Sequence, residues 1–212
     1  MIRFTITALV SLWLFSCAGS QDRNTDRYVL VGGPCEGCEA VLEYGDRQPD
    51  AVDTLPDFTQ EGMKIKVSGT IYKEDGKTPA KNVILYVYHT DQDGLYATRG
   101  DETGWGKKHG YIRGWMKTGA DGKYTFYTLK PAPYPSQTLP AHIHPMILEP
   151  GGKYYYLESY HFRGDPLLTE SEIAPEAPRG GSSGYLTLKK EGTLWVGTRD
   201  LILGKNIPGY DK

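Results

Sequence analysis

Five histidines, His89, His109, His142, His144 and His161, are the side chains best able to ligate a metal or exchange a proton near neutral pH. One pair has a spacing that bears on chemistry. In His142-Ile143-His144 the rings are one strand repeat apart, and alternate side chains of an extended chain share a face. Both imidazoles could then hold one ion, and imidazole suits iron, copper and zinc. A polar strand face accounts for the same alternation equally well. Upstream, Tyr134 sits in Lys130-Pro131-Ala132-Pro133-Tyr134-Pro135. Prolines on both sides exclude a central strand and hold the phenol on a stiff, extended segment. A phenol keeps its proton at neutrality, with an ordinary pKa of about 10. A trivalent cation would convert it to phenolate by the charge logic that acidifies metal-bound water.

The elements that must position these groups are strands. Lys64 to Tyr72 alternates polar and apolar residues, the period of a half-buried strand. Asn82 to His89 is β-branched and aromatic, which predicts a buried strand. Gly114 to Thr118 and Lys123 to Leu129 flank a hairpin-like turn, Gly119-Ala120-Asp121-Gly122. His142 to Leu148 and Lys153 to Phe162 lie either side of Pro150-Gly151-Gly152, and Tyr185 to Lys189 with Thr193 to Val196 reads as a last hairpin. No sustained helical period occurs after the first 16 residues. Short strands with regular turns predict an all-β fold, a β-sandwich of two mostly antiparallel sheets with long connecting loops.

Composition agrees. The 212 residues include 26 Gly and 14 Pro, which suits short strands and many turns better than a helical bundle. A net charge of -2 argues against a nucleic-acid partner, since phosphate binding needs a basic surface. Aromatic residues at 12% argue against disorder. Residues 1–16 have a basic start and an apolar run too short to span a bilayer, as in a signal peptide. The run ends Leu14-Phe15-Ser16-Cys17, which resembles the lipobox of bacterial lipoproteins. That resemblance implies an exported chain of the cell envelope, held at a membrane by a lipid on Cys17, with 17–27 as its tether. An ordinary signal peptide with an incidental Cys is the plainer alternative. Residues 28–62 are rich in turn formers and read as an N-terminal arm to a domain spanning 63–212. Cys35 and Cys38 in the arm suit a disulfide in an oxidising compartment, with a redox-active or metal-binding pair as the alternative.

Four segments together carry a resemblance. They are Gly110-Tyr111-Ile112-Arg113-Gly114-Trp115, Asp121-Gly122-Lys123-Tyr124-Thr125-Phe126, Lys130 to Pro135, and Pro140-Ala141-His142-Ile143-His144. In that order they resemble the core of the intradiol ring-cleavage dioxygenases, with Gly164-Asp165-Pro166 and Gly197-Thr198-Arg199-Asp200 following as expected. The resemblance implies a non-haem Fe(III) enzyme that uses O2 to cleave a catechol-type small molecule between its hydroxylated carbons. It implies a metal site of two Tyr and two His: Tyr134, His142, His144 and, after the turn His89 to Leu95, Tyr96. It also gives Tyr134 a catalytic role as a base displaced from the metal. Members of the family are commonly oligomers, so a homo-oligomer is allowed for.

The chain departs from that pattern at three places. Leu139 stands where family members usually carry Arg, and Ser159 aligns near a pocket Gln. The loop between Tyr134 and His142 is short, with Ser136 where a bulky aromatic is often found, which implies a more open pocket for larger diols. The competing expectation from these departures is a lipoprotein that binds a catecholate or glycan without cleaving it.

Overall fold

A computed structural model describes residues 27–135 and 139–211. The expected signal peptide 1–16, the anchor Cys17, all of the tether but Arg27, and Ser136 lie outside the described residues. In chain order the strands are β1 (Val29–Leu30), β2 (Val52–Thr54), β3 (Lys64–Tyr72), β4 (Ile84–His89), β5 (Arg113–Lys117), β6 (Lys123–Leu129) and β7 (His142–Leu148). They continue with β8 (Lys153–Tyr156), β9 (Tyr160–Phe162), β10 (Tyr185–Leu186), β11 (Lys189–Glu191), β12 (Leu194–Thr198) and β13 (Leu201–Ile202). Single helical turns, Gly106–His109 and Glu170–Ile173, and a 3-10 turn, Cys38–Leu42, interrupt them.

The strands form two sheets. One runs β1-β8-β7-β4-β5, with β9 on β7 and β10 on β9; the other runs β11-β12-β3-β6-β2, with β13 on β3. The long central pairings β3·β6, β4·β5 and β4·β7 are antiparallel, and short flanking strands add the parallel ones. This is the all-β sandwich that the alternating pattern predicts. Ile65, Val67, Leu85, Val87, Phe126, Ile143 and Ile147 interdigitate between the sheets.

β4 is buried along its whole length because the outer face of its sheet is covered as well. There Tyr86, Tyr88, Trp115, Met146 and Leu148 pack against Cys38, Ala40 and Val41, and the Trp115 indole donates to the Val41 carbonyl at 3.2 Å. Segment 28–62 is therefore part of the sandwich: it adds β1 to one sheet, β2 to the other, and roofs the outer face with the Cys38–Leu42 turn. Cys35 and Cys38 form a disulfide at the start of that turn.

Two boundaries differ from expectation. Lys153 to Phe162 is two strands rather than one. Between the pairs Met146↔Tyr156 and Ile143↔Tyr160, β7 advances three residues and its neighbour four. The extra residue is a bulge opposite Pro145, whose nitrogen has no hydrogen to give the ladder; Leu157 N–H instead donates to the Pro145 carbonyl at 3.1 Å. The last hairpin is β11 with β12, while Tyr185 and Leu186 leave it to pair with β9 in the opposite sheet.

Candidate metal centre

β7 starts at His142, and its alternation sends Ile143 into the inter-sheet core and His142 and His144 to the outer face. His142 is oriented at once by its own backbone. Its Nδ1 lies 2.7 Å from the Pro140 carbonyl. A carbonyl can only accept, so Nδ1 carries the hydrogen and Nε2 presents a lone pair. Ala141 N–H, between these two residues, donates to Asp165 Oδ2 at 3.0 Å, and Asp165 Oδ1 accepts Leu167 N–H at 3.0 Å. His144 lies opposite Tyr88 across the ladder with β4. The two rings stack with centroids 4.6 Å apart, and His109 stacks at 3.7 Å from Tyr88. His109 Nδ1 in turn meets Tyr86 Oη at 2.9 Å. On the far side of His144, Ser159 Oγ stands 3.5 Å from Nδ1.

The two tyrosines arrive on loops that are stitched together. Asp91 Oδ1 accepts the N–H groups of Asp93 and Leu95, both at 2.9 Å, closing a tight turn ahead of Tyr96. Thr90 Oγ1 donates to the Ala132 carbonyl, Ala132 N–H to the Asp91 carbonyl, and Gln92 Nε2 to the Lys130 carbonyl. Gly94 is the closest approach: its φ is +78°, and a Cβ there would stand 2.1 Å from the Pro133 carbonyl oxygen. Only glycine fits such a turn against such a neighbour.

The result is a closed circuit of four polar atoms. Tyr96 Oη lies 2.5 Å from Tyr134 Oη, Tyr134 Oη 3.3 Å from His142 Nε2, His142 Nε2 3.0 Å from His144 Nε2, and His144 Nε2 3.0 Å from Tyr96 Oη. All four side chains named from the sequence meet here. His89, His109 and His161 do not join them: His89 is buried on the inter-sheet side, bonded to the Thr90 carbonyl and Thr128 Oγ1, and His161 faces Glu172 at 3.9 Å.

Burial dominates the electrostatics. It pushes the Tyr96 phenol far above its ordinary range, with the Tyr134 hydroxyl adding to the shift. It pulls His144 well below 6.5, helped by His142 and the other histidines, and pulls His142 down against the Pro140 hydrogen bond. The imidazoles are thus neutral donors, and a phenolate at Tyr96 needs a nearby positive charge. The donor set fits a small, highly charged cation. Neighbouring donor atoms around the circuit are 2.5–3.3 Å apart, so Tyr96, Tyr134, His142 and His144 would all reach one such ion.

Sequence reasoning missed the supports. Tyr88 and Tyr86 fall on one face by alternation, but the register that sets Tyr88 against His144 is a property of the folded sheet. Leu139 is an exposed, uncharged side chain, while Ser159 is carried by the β8–β9 bulge.

A family model described as "Dioxygenase" matches residues 39–180. Catechol 1,2-dioxygenase 1 of Acinetobacter lwoffii is 28% identical over 184 residues, covering 76% of this chain and 56% of that protein. The protocatechuate 3,4-dioxygenase beta chain of Burkholderia cepacia is 32% identical over 130 residues, or 56% of this chain and 54% of its own length. The chain thus spans about half the length of the curated relatives it matches. Among solved structures, the dioxygenase domain of a dioxygenase carbohydrate-binding protein fusion from Streptomyces sp. SirexAA-E superposes with a TM-score of 0.53 at 26% identity, covering 76% of this chain and 94% of that one. An intradiol ring-cleavage dioxygenase from Tetranychus urticae shares the fold with a TM-score of 0.53 at 17% identity, covering 81% and 91%. With two-thirds of its length matched by the family model, its ordered motifs and its sandwich, the chain belongs to the intradiol ring-cleavage dioxygenase family.

Proposed function

We propose that the chain is a dioxygenase that opens the ring of a catecholic substrate with O2, using Fe(III) held by Tyr96, Tyr134, His142 and His144. The observation that carries this is the closed circuit of two phenol oxygens and two imidazole nitrogens. When bound, Fe(III) supplies the Lewis acidity and template that make a catechol ring reactive toward O2. The chain's own residues do the rest. The Pro140 carbonyl holds His142 in the tautomer that offers Nε2, Tyr88 fixes the plane of His144, and the Thr90–Ala132 and Gln92–Lys130 hydrogen bonds keep both phenols together. Tyr134 Oη is the atom assigned to take up a catechol proton, on the family's pattern. The stacked rings of Tyr88 and His109 and the roof of Cys38, Ala40 and Val41 keep water from the inner side of the site. Export and a lipid anchor on Cys17 belong to the same proposal and are supported by Leu14-Phe15-Ser16-Cys17.

A second reading has an observation of its own. Leu139 is exposed at the position where an Arg is usual, and Ser159 offers a small hydroxyl near the pocket Gln position. A chain lacking those donors could bind a catechol at the same centre without turning it over, since losing one positioned donor costs about 100–1,000-fold in rate. An oxygen electrode with a panel of catechols decides. Uptake of one O2 per catechol with an unsaturated dicarboxylic acid as product supports the dioxygenase. A visible band that shifts on adding catechol while oxygen stays constant overturns it in favour of binding alone.

A further inference from the structure

A groove of about 530 Å³ lies between β9, at Phe162, and β12, at Trp195. None of the four donors lines it, although Pro133 and Asp165, which support the four-donor site from behind, do. Phe162 faces the inter-sheet core, whereas its neighbour His161 points to the opposite face beside His142. Its volume is that of an ordinary small-molecule site, roughly 300–1,000 Å³.

Phe162, Trp195, Leu188 and Met63 make its surface apolar, and three charged residues line it: Lys130, Arg163 and Asp165. Both Asp165 oxygens already accept backbone N–H groups, from Ala141 and Leu167. The two cations are not neutralised: among the described residues no carboxylate lies within 4.0 Å of either. Each is nevertheless held in place. The Lys130 ammonium lies 5.2 Å from the centroid of the Phe162 ring, and Arg163 Nε donates to Thr187 Oγ1 at 3.1 Å, leaving its two terminal nitrogens for another acceptor.

We infer that this groove is a second binding site, for an aromatic carboxylate: a flat apolar body lying along Trp195, with Leu188 and Met63 beside it, and its anionic end between Lys130 and Arg163. The planar guanidinium matches a carboxylate through two parallel hydrogen bonds, which a neutral ligand cannot supply. The half-buried Trp195 offers a ring face for the body.

Isothermal titration of the full chain, without added iron, with naphthalene-2-carboxylate tests this away from any metal chemistry. Saturable binding is expected, with naphthalene-2-carboxamide weaker by about tenfold or more, the usual worth of a charge-assisted contact. Lys130→Gln with Arg163→Gln should bring acid and amide to similar affinity, and Trp195→Ala should weaken both. Circular dichroism checks that each variant is folded. Should a variant fail to fold, the acid-to-amide comparison in the wild type decides by itself. Equal affinity for acid and amide, an acid affinity unchanged in the double variant, or no binding at millimolar ligand would overturn the assignment. Full displacement by equimolar inorganic phosphate would also overturn it, by showing a bare anion site.

Discussion

Asp165 is the residue whose removal should most sharply separate holding the fold from holding the site. Its carboxylate accepts two backbone hydrogen bonds, one from Ala141, which is fully buried. Asp165→Ala leaves the Ala141 N–H without a partner. Hydrogen bonds to a charged group are worth about 1.5–3 kcal/mol each, and an orphaned buried donor costs about 1–3 kcal/mol. Allowing for solvent reaching Leu167, the expected loss is about 2–4 kcal/mol, readable by urea denaturation of the iron-free protein. The second effect is specific to the site. Ala141 lies between Pro140, whose carbonyl orients His142, and His142 itself. Slackening it should weaken iron retention by about 10–100-fold, the usual cost of losing a support behind a ligand, measured by competition with a chelator. Asp165→Asn, which keeps one good acceptor, should recover part of both. A destabilised Asp165→Ala protein with wild-type iron affinity would refute the link from Asp165 to His142, and unchanged stability would refute the hydrogen-bond reasoning altogether.

Tyr88→Phe keeps the ring stacked on His144 and should leave iron content and the visible band near wild type. Tyr88→Leu should shift the band and loosen the metal, and identical spectra for the two variants would remove Tyr88 as a positioning residue. Opening the Cys35–Cys38 disulfide by Cys35→Ser with Cys38→Ser should cost only about 2 kcal/mol, because the closed loop is short, at a sequence separation of 3; a loss above 4 kcal/mol by thermal denaturation would mean that the turn itself has collapsed. Burial holds His89 at about 4, below its ordinary 6.5, so the unfolded chain takes up a proton that the folded chain refuses. Stability is unaffected above pH 6.5 and should fall as pH drops from 6.5 toward 4, by at most about 1.4 kcal/mol per unit from this residue. His89→Gln should flatten the urea-derived slope in that window, and an unchanged slope would show that His89 does not contribute.

The strands were legible because their chemistry is local. Lys64–Tyr72, Lys123–Leu129 and His142–Leu148 end where alternation and flanking turns say they should. The prolines around Tyr134 and the two-residue spacing of His142 and His144 made these three visible as candidates in one dimension, but a polar strand face explained that spacing equally well, and the family resemblance is what joined them as a ligand set. Tyr96 was reachable only through family resemblance, since a tyrosine in a polar loop carries no signal of the Gly94–Pro133 contact that delivers it. The bulge opposite Pro145 and the register of Tyr88 on His144 are properties of paired strands. The roof over the outer face was hidden because Ala40-Val41-Leu42 is an apolar run too short to show a period. Asp165 stood in a recognisable motif, yet its partner is 24 residues earlier in the chain.

Iron content with the visible spectrum of the purified protein tests the central claim most directly. Two phenol oxygens and two imidazoles on one ferric ion predict about one iron per chain and a red-brown charge-transfer band that weakens in Tyr134→Phe. A colourless protein that takes up no iron when Fe(III) is supplied, or a band indifferent to Tyr134→Phe, would contradict it.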